Sequence, residues 1–328
     1  DFAEFTPLAE ELVAEVTGLR SLAGPARGRV TDRAGWVRAN LASFRRLLRP
    51  LTEKLGPRMA ASPMAPVGRA VAGAQLGTML GWMSSRVLGQ YDLLLVEEER
   101  ESGDPEGGQD MVWYVGPNVI AIEKRFDFPP REFRLWLALH EVTHRAQFTA
   151  VPWMRPYFLS LVEDSLASLD PDPKRFLAAL RRAFNEVRLG RNPLDDGGLV
   201  AMLAGPEQHA RLQQVQGLMS LLEGHGDVTM NRAGADRVPS AARFHTTLHQ
   251  RRNEASGPAR LLQKLIGLEA KMKQYEQGER FIEVVEAAGG DELLARAWAG
   301  PECLPTLEEI RQPQRWIDRL SEGVPASG

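Results

Sequence analysis

Apolar residues recur every three to four positions along most of the chain, which is the spacing of amphipathic helices. This periodicity predicts helices over 31–55, 67–88, 157–169, 173–189, 206–231, 239–255 and 261–288, with shorter helical pieces within 292–320. Proline opens or precedes several of these segments, as it does at the first turn of many helices. The pattern therefore predicts a chain that is mainly helical.

Strand character is concentrated in the middle of the chain. Residues 91–96 and 111–123 are rich in β-branched and aromatic side chains, and the acidic, glycine-bearing segment 97–110 between them predicts a loop. Trp113–Val115 is expected to be an edge strand that pairs with an extended substrate. The predicted fold class is thus mainly α (α+β), with a small β-sheet next to the helix that follows.

That helix, which we expect to begin at Pro129 and Pro130, places two histidines and a glutamate inside an apolar body. His140 and His144 are four residues apart and lie about 40° apart on one face, so both imidazoles can reach one ion. Glu141 occupies the position of the general base in H-E-x-x-H metalloproteases. The spacing predicts a catalytic Zn²⁺ site, because these groups are costly in an apolar helix unless something satisfies them.

A catalytic zinc usually has three protein ligands and one open position, so a third ligand is needed. Gln147 and Ala150 stand where the metzincin pattern requires glycine and histidine, which excludes that family's three-histidine site. Glu223 is the first candidate for the metal. Asp227 lies four residues further on the same helix face, where it would accept the second N–H of a ligating histidine.

The helix around Glu223 has a polar stripe that we expect to be buried. Its members are Gln216, Ser220, Glu223 and Asp227, and Gly217 and Gly224 beside them would allow another helix to come close. Glu163 is the rival third ligand, because it follows His144 by 19 residues (163 − 144), a spacing that also occurs in glutamate-type zinc peptidases. The polar residues of its helix, however, form one face, which is typical of a helix exposed to solvent on that side.

Other side chains have less specific signals. Four candidates could stabilise the oxyanion of a hydrolytic reaction: Tyr114, Tyr275, Arg145 and His225. His225 lies about 200° around the helix from Glu223, which favours a structural role. His245 and His249 are also four residues apart, but the arginine-rich helix around them favours a solvated surface.

Composition narrows the partners and the compartment. The 40 basic and 43 acidic residues give a net charge of −3 with no long block of either sign, which argues against nucleic acid or an anionic membrane as the main partner. The single cysteine, Cys303, excludes an intrachain disulfide and favours a reducing compartment, so we expect the cytoplasm. No secretory signal is visible in residues 1–20, although the chain does not begin with Met and a processed product is compatible with this.

The segment Val67–Leu88 is the most apolar of the predicted helices. Gly73, Gly77 and Gly81 give it a small-residue face, while Arg69 and Arg86 leave too short an apolar interval to cross a bilayer. We expect this helix to pack through its glycine face against another helix.

Three segments, 133–148, 219–227 and 273–278, together resemble a zincin-like family of bacterial hydrolases, some members of which are labelled as deazaflavin-coenzyme biosynthesis-associated. The resemblance implies a zincin-type, mainly helical fold. It also implies zinc-dependent metalloprotease activity, with His140, Glu141 and His144 in the matching positions. It implies no particular substrate.

The sequence thus predicts one zincin-like unit over 1–328. It has a helical part over about 1–90, the sheet and the H-E-x-x-H helix over about 91–150, and a helical part over about 151–328 with the third ligand. The leading hypothesis is a cytoplasmic zinc hydrolase of a peptide or amide bond. The alternatives are a catalytically silent binding protein with a structural metal, and an amidase in coenzyme metabolism.

Overall fold

The computed structural model describes residues 1–47, 53, 65–93, 111–167, 206–253 and 268–323. The predicted loop 97–110, the helix 173–189 and the first residues of the helix 261–288 lie outside this part of the chain. Two compact units are present: Asp1–Arg155 with Thr229–His245, and Pro156–Val228 with Thr246–Gly328. The single unit expected from the sequence stays a prediction.

The first unit combines helices with a small sheet. Its elements are α1 (Phe2–Thr17), β1 (Arg27–Thr31), α2 (Arg33–Leu47), α3 (Ala65–Ser84), β2 (Gly89–Tyr91), β3 (Met111–Val115), α4 (Gly116–Phe126) and α5 (Pro130–Thr149). Helices dominate and three strands form one sheet that contacts α5, which confirms the predicted fold class.

The sheet has the strand order β1-β3-β2. β1 is parallel to β3, with Arg27 opposite Met111, and β2 is antiparallel to β3, with Gly89 opposite Tyr114. The expectation that Trp113–Val115 forms an edge strand is therefore wrong, because β3 pairs on both sides. Among the described strands, β1 and β2 are the edges.

Some predicted boundaries also differ. The strand predicted over 111–123 ends at Val115, because Pro117 enters the first turn of α4 and Val119, Ile122 and Glu123 bury one helical face. β-Branched side chains gave this segment its strand signal, yet they are compatible with a helix that packs on one side.

The beginning of the chain also differs from expectation. The part over about 1–90 was expected to be helical, but the bounds of α1 were not predicted, although Phe2, Phe5, Ala9 and Val13 bury one face of it. Thr31, expected to begin a helix, is instead the last residue of β1.

Aromatic packing holds the first half of α5. The Phe133 ring lies 5.1 Å from that of Phe128 and 5.3 Å from that of Phe244, and the Trp136 ring lies 6.0 Å from that of Phe244. Phe133 and Leu139 are fully buried. Burying each such side chain contributes about 2 kcal/mol, so apolar packing supports the helix on which the histidines lie.

The glycine face of helix α3 is open as far as the described residues show. None of their heavy atoms lies within 4 Å of the place where a Cβ on Gly73, Gly77 or Gly81 would lie. Within the described residues, the predicted packing of this face against another helix is thus not observed. No helix in the same part of the chain is both long enough and apolar enough to span a membrane.

The second unit is helical in its described residues. The remaining elements of the chain are α6 (Met154–Ala167), α7 (Pro206–Ala233), α8 (Ala241–Asn253), α9 (Leu268–Ala295), two 3₁₀ turns (Arg296–Trp298 and Pro301–Cys303), α10 (Leu307–Arg311) and α11 (Pro313–Ser321). The start of α7 at Pro206 agrees with the prediction. Trp316 is fully buried, and its indole N–H donates to the carbonyl of Cys303 over 2.8 Å.

Two glycines of α7 are in close main-chain contact with other elements of the second unit. A Cβ on Gly224 would overlap the main chain of Gly278 on α9 and lie 2.5 Å from the Glu279 nitrogen. A Cβ on Gly217 would lie 2.9 Å from the Leu307 nitrogen. The expectation that these glycines allow another helix to come close is confirmed.

Candidate metal centre

The two histidines of α5 lie side by side. Pro130 occupies the first turn, where its missing N–H costs nothing, and the helix continues without interruption to Thr149. His140 and His144 are half-buried, and their ring centroids are 4.7 Å apart with the rings nearly perpendicular. The i, i+4 spacing therefore brings two imidazoles together on one face of the helix.

Gln147 is a contact of His144 that the sequence reasoning missed. The Nδ1 atom of His144 lies 3.0 Å from Oε1 of Gln147, whose side chain is fully buried. An amide oxygen only accepts, so Nδ1 holds the proton and donates it, and the Nε2 lone pair is left for a metal. The i, i+3 spacing of the two residues was the available signal.

Glu141 is buried beside the edge of the sheet, with 7% of its surface exposed. The nearest strand is β2. A Cβ on Gly89 would lie 2.6 Å from Oε1 of Glu141, so the carboxylate occupies the space next to this glycine. A buried carboxylate that is next in sequence to a candidate metal ligand suits the role of a general base.

The third potential metal ligand is the carboxylate of Glu223 on α7. His140, His144 and Glu223 each offer one ligand atom, and these atoms lie within 4.8 Å of one another. Two imidazole nitrogens and one carboxylate oxygen form a donor set that suits zinc, so the residues present fit this ion. The rival Glu163 is exposed on α6.

The polar stripe of α7 is buried at Ser220 and Asp227, whereas Gln216 and Glu223 are half-buried. Ser220 is fully buried and its hydroxyl donates to the carbonyl of Gln216 over 2.8 Å. Asp227 is 7% exposed. A carboxylate is costly to bury unless it is hydrogen-bonded or close to a positive charge, so its position within the protein requires such a partner.

The hydroxyl group of Tyr114, a candidate for stabilising the oxyanion, is hydrogen-bonded to Thr6. Its oxygen lies 2.9 Å from Oγ1 of Thr6, which itself donates to the carbonyl of Phe2 over 2.7 Å. The Tyr114 hydroxyl must therefore donate to Thr6. Burial raises the pKa of Tyr114 far above its usual range and the nearby Glu141 charge adds to this, while the Thr6 hydrogen bond acts in the opposite direction.

Arg145 is likewise occupied by structural contacts. Its side chain is 1% exposed and lies 2.5 Å from a carboxylate oxygen of Glu10 on α1, and it donates to the carbonyl of Gly24 over 2.7 Å. The other Glu10 oxygen accepts from the Ala26 nitrogen over 2.7 Å. This network ties α5 to α1 and to the segment before β1, and it occupies the guanidinium of a proposed oxyanion residue.

The remaining histidines lie in different surroundings. His225 is buried, and its ring meets the ring of Trp298 edge to face at 5.0 Å. His245 is half-buried, whereas the side chains of Tyr275 and His249 lie outside the part that is described. His225 and Tyr275 therefore stay candidates for the oxyanion role.

The chain is similar to a known family and to a solved structure. A family model described as zincin-like metallopeptidase matches residues 1–317. A crystal structure described as that of a candidate hydrolase with a novel fold, from Chloroflexus aurantiacus, is 31% identical in sequence; the match has a TM-score of 0.69 and covers 98% of this chain and 89% of that chain. No curated protein matches the chain. Because the family match extends over almost the whole sequence, this chain belongs to the zincin-like metallopeptidase family.

Proposed function

We propose that this protein is a zinc-dependent metallohydrolase that cleaves a peptide or a related amide bond. The observation that supports this most strongly is the donor set of His140, His144 and Glu223, with ligand atoms within 4.8 Å of one another and the buried Glu141 beside the two histidines. Membership of the metallopeptidase family and the similarity to a candidate hydrolase favour the same chemistry.

Five side chains form or orient the metal site in this proposal. His140, His144 and Glu223 would hold the zinc ion. Gln147 accepts from Nδ1 of His144 and so presents Nε2 of that ring. Asp227 is then assigned to the other imidazole, that of His140, as the acceptor of its second N–H.

The reaction would divide between the ion and the carboxylate of Glu141. A bound zinc would lower the pKa of its water to about 7 and polarise the substrate carbonyl. Glu141 would take a proton from the attacking water and deliver it to the leaving nitrogen. Burial of Glu141, which has 7% of its surface exposed, would shield this proton transfer from bulk water.

The substrate is proposed to lie along β2. β3 is paired on both sides, so the extended substrate would add to the edge strand Gly89–Tyr91, which lies next to Glu141. Such pairing places a peptide carbonyl near the general base. We further expect a cytoplasmic enzyme whose partner is the peptide or amide substrate, without nucleic acid or membrane, as the composition predicted.

Replacing Glu141 with glutamine tests the proposal. The variant Glu141→Gln keeps the size of the side chain and removes the base, so we expect one zinc per chain and a loss of at least about 10³-fold in cleavage of a quenched fluorescent peptide library. The matched control is Glu163→Gln, which changes an exposed glutamate and should leave zinc content and cleavage unchanged. A Glu141→Gln protein as active as the wild type would overturn the proposal.

A further inference from the structure

Gly89 lies against the side chain of Glu141, the proposed general base. Because Gly89 has no side chain, the Glu141 carboxylate can occupy the space next to it. A Cβ at this position would lie 2.6 Å from Oε1, 2.7 Å from Cγ and 2.8 Å from Cδ of Glu141. Real Cβ atoms essentially never approach heavy atoms this closely. All three atoms belong to one side chain, so any residue larger than glycine at position 89 competes with Glu141 for the same space.

The backbone conformation does not explain this glycine. Among the described residues, the glycines with positive φ are Gly18, Gly24, Gly290 and Gly323, and Gly89 is not one of them. Gly89 lies instead in an ordinary strand, where alanine meets no conformational penalty. What the position requires is therefore the absence of a side chain.

Strand β2 is held in position by hydrogen bonds, so it cannot easily move away from Glu141. Its residue Gln90 accepts from the indole N–H of Trp36 over 2.7 Å and donates to Asn40 over 3.1 Å. Gly89 itself is paired with Tyr114 of the central strand. A larger residue at position 89 must thus displace Glu141 and not the strand.

The segment that leads into β2 is held equally firmly. The side-chain nitrogen Nδ2 of Asn118 donates to the main-chain carbonyls of Ser84 and Val87, over 2.7 Å in each case. The oxygen of the same amide accepts from Nε of Arg33 over 2.7 Å. The Val115 nitrogen donates to the carbonyl of Leu88 over 2.8 Å. These contacts fix the approach of the strand to the carboxylate.

We propose that Gly89 is a positioning residue that sets the location of the Glu141 carboxylate at the edge of β2. The catalytic part of this inference rests on the proposed function, whereas the contact itself does not. A general base must lie within about 3 Å of the proton that it takes, and a misplacement of about 1 Å can cost about 100-fold in rate. Position 89 thereby acts on turnover through the placement of Glu141.

The contact is tested first in metal-free protein, with thermal unfolding of Gly89→Ala, Glu141→Ala and the double variant. Gly89→Ala should lower Tm by about 3 °C or more when Glu141 is present, and by less than about 1 °C when Glu141 is alanine. Gly73→Ala is the control, because its added methyl group meets no described residue within 4 Å and should show no coupling to Glu141. Equal shifts of Tm by Gly89→Ala in both backgrounds would overturn the proposal.

The effect on turnover is tested in zinc-loaded protein with a cleaved fluorescent peptide. Gly89→Ala should keep one zinc per chain and its KM within about threefold, while kcat falls about 100-fold. In a Glu141→Gln background, which keeps the size of the side chain but lacks the base, the same change should lower the residual kcat by less than about threefold.

Two outcomes contradict the positioning role in turnover: a kcat of Gly89→Ala within threefold of the wild type, or the same loss in both backgrounds. If the wild-type protein cleaves no peptide, the proposed peptidase activity fails. The Tm coupling then still decides whether Gly89 sets the place of the Glu141 side chain.

Discussion

The two helices that carry the candidate ligands are held in place by different means. α5 is fixed by side chains, including the Arg145–Glu10 pair and the aromatic contacts of Phe133. α7 is fixed by its main chain, because Gly224 lies directly against Gly278 and leaves no room for a methyl group. Side chains can change rotamer to absorb a substitution, whereas two main chains in contact cannot.

This difference determines how each helix should respond to mutation. Changes around α5 should be partly compensated by a second substitution in the partner side chain. Changes at the glycine contact of α7 should be large and should resist such compensation. The experiments below test this contrast, from the largest expected effect to the smallest.

Gly224→Ala is the substitution with the largest expected cost. Its methyl group would overlap the main chain of Gly278, so α7 and α9 must separate, and we expect a loss of about 3 kcal/mol in the free energy of unfolding. Denaturant unfolding measures this. Gly73→Ala is the control. That helical position is exposed, no described residue lies within 4 Å of an added methyl group, and the variant should gain up to about 1 kcal/mol. A Gly224→Ala protein as stable as the wild type would show that main-chain contact does not fix α7.

Arg145→Met should cost about 2 kcal/mol, because it leaves the Glu10 carboxylate without its buried cation while keeping most of the volume of the side chain. Adding Glu10→Gln removes the unpaired charge and keeps an acceptor for the Ala26 nitrogen, so about half of the loss should return. Unfolding of the two single variants and the double variant measures the coupling. Strictly additive losses would contradict the side-chain account of α5.

Of the three substitutions, Gln147→Ala should change the free energy of unfolding least. Its main effect should be on the affinity for zinc. Losing the acceptor for Nδ1 frees the His144 ring to reorient, so we expect zinc to bind about tenfold more weakly. Competition with a chromophoric chelator measures the affinity, and circular dichroism checks that the helix content is kept. Unchanged zinc affinity would mean that Gln147 does not orient His144.

The sequence could predict the features of the site that depend on local helical spacing. His140, Glu141 and His144 are related by local helical spacing, so their shared helix and the proximity of the two imidazoles follow from a few consecutive residues. The start of α7 at Pro206 is likewise a local signal. The polar stripe around Glu223 could be expected from its pattern, but the distance between the Glu223 carboxylate and the histidines depends on tertiary packing.

The sheet was less predictable for the same reason. β2 is only three residues long, and β1 pairs with β3 across a large separation in the sequence, so neither leaves a strong local pattern. The central place of β3 follows from pairing partners that the sequence does not name. The role of Gly89 could not be foreseen either, because it depends on a side chain that approaches from α5.

The central claim is that His140, His144 and Glu223 hold one zinc ion beside Glu141. Anomalous diffraction at the zinc edge from crystals of the zinc-loaded protein tests it most directly. We predict one strong peak per chain, within coordination distance of Nε2 of His144, a ring nitrogen of His140 and a carboxylate oxygen of Glu223. A peak coordinated by another carboxylate such as Glu163, or the absence of any peak at these histidines, would contradict the account.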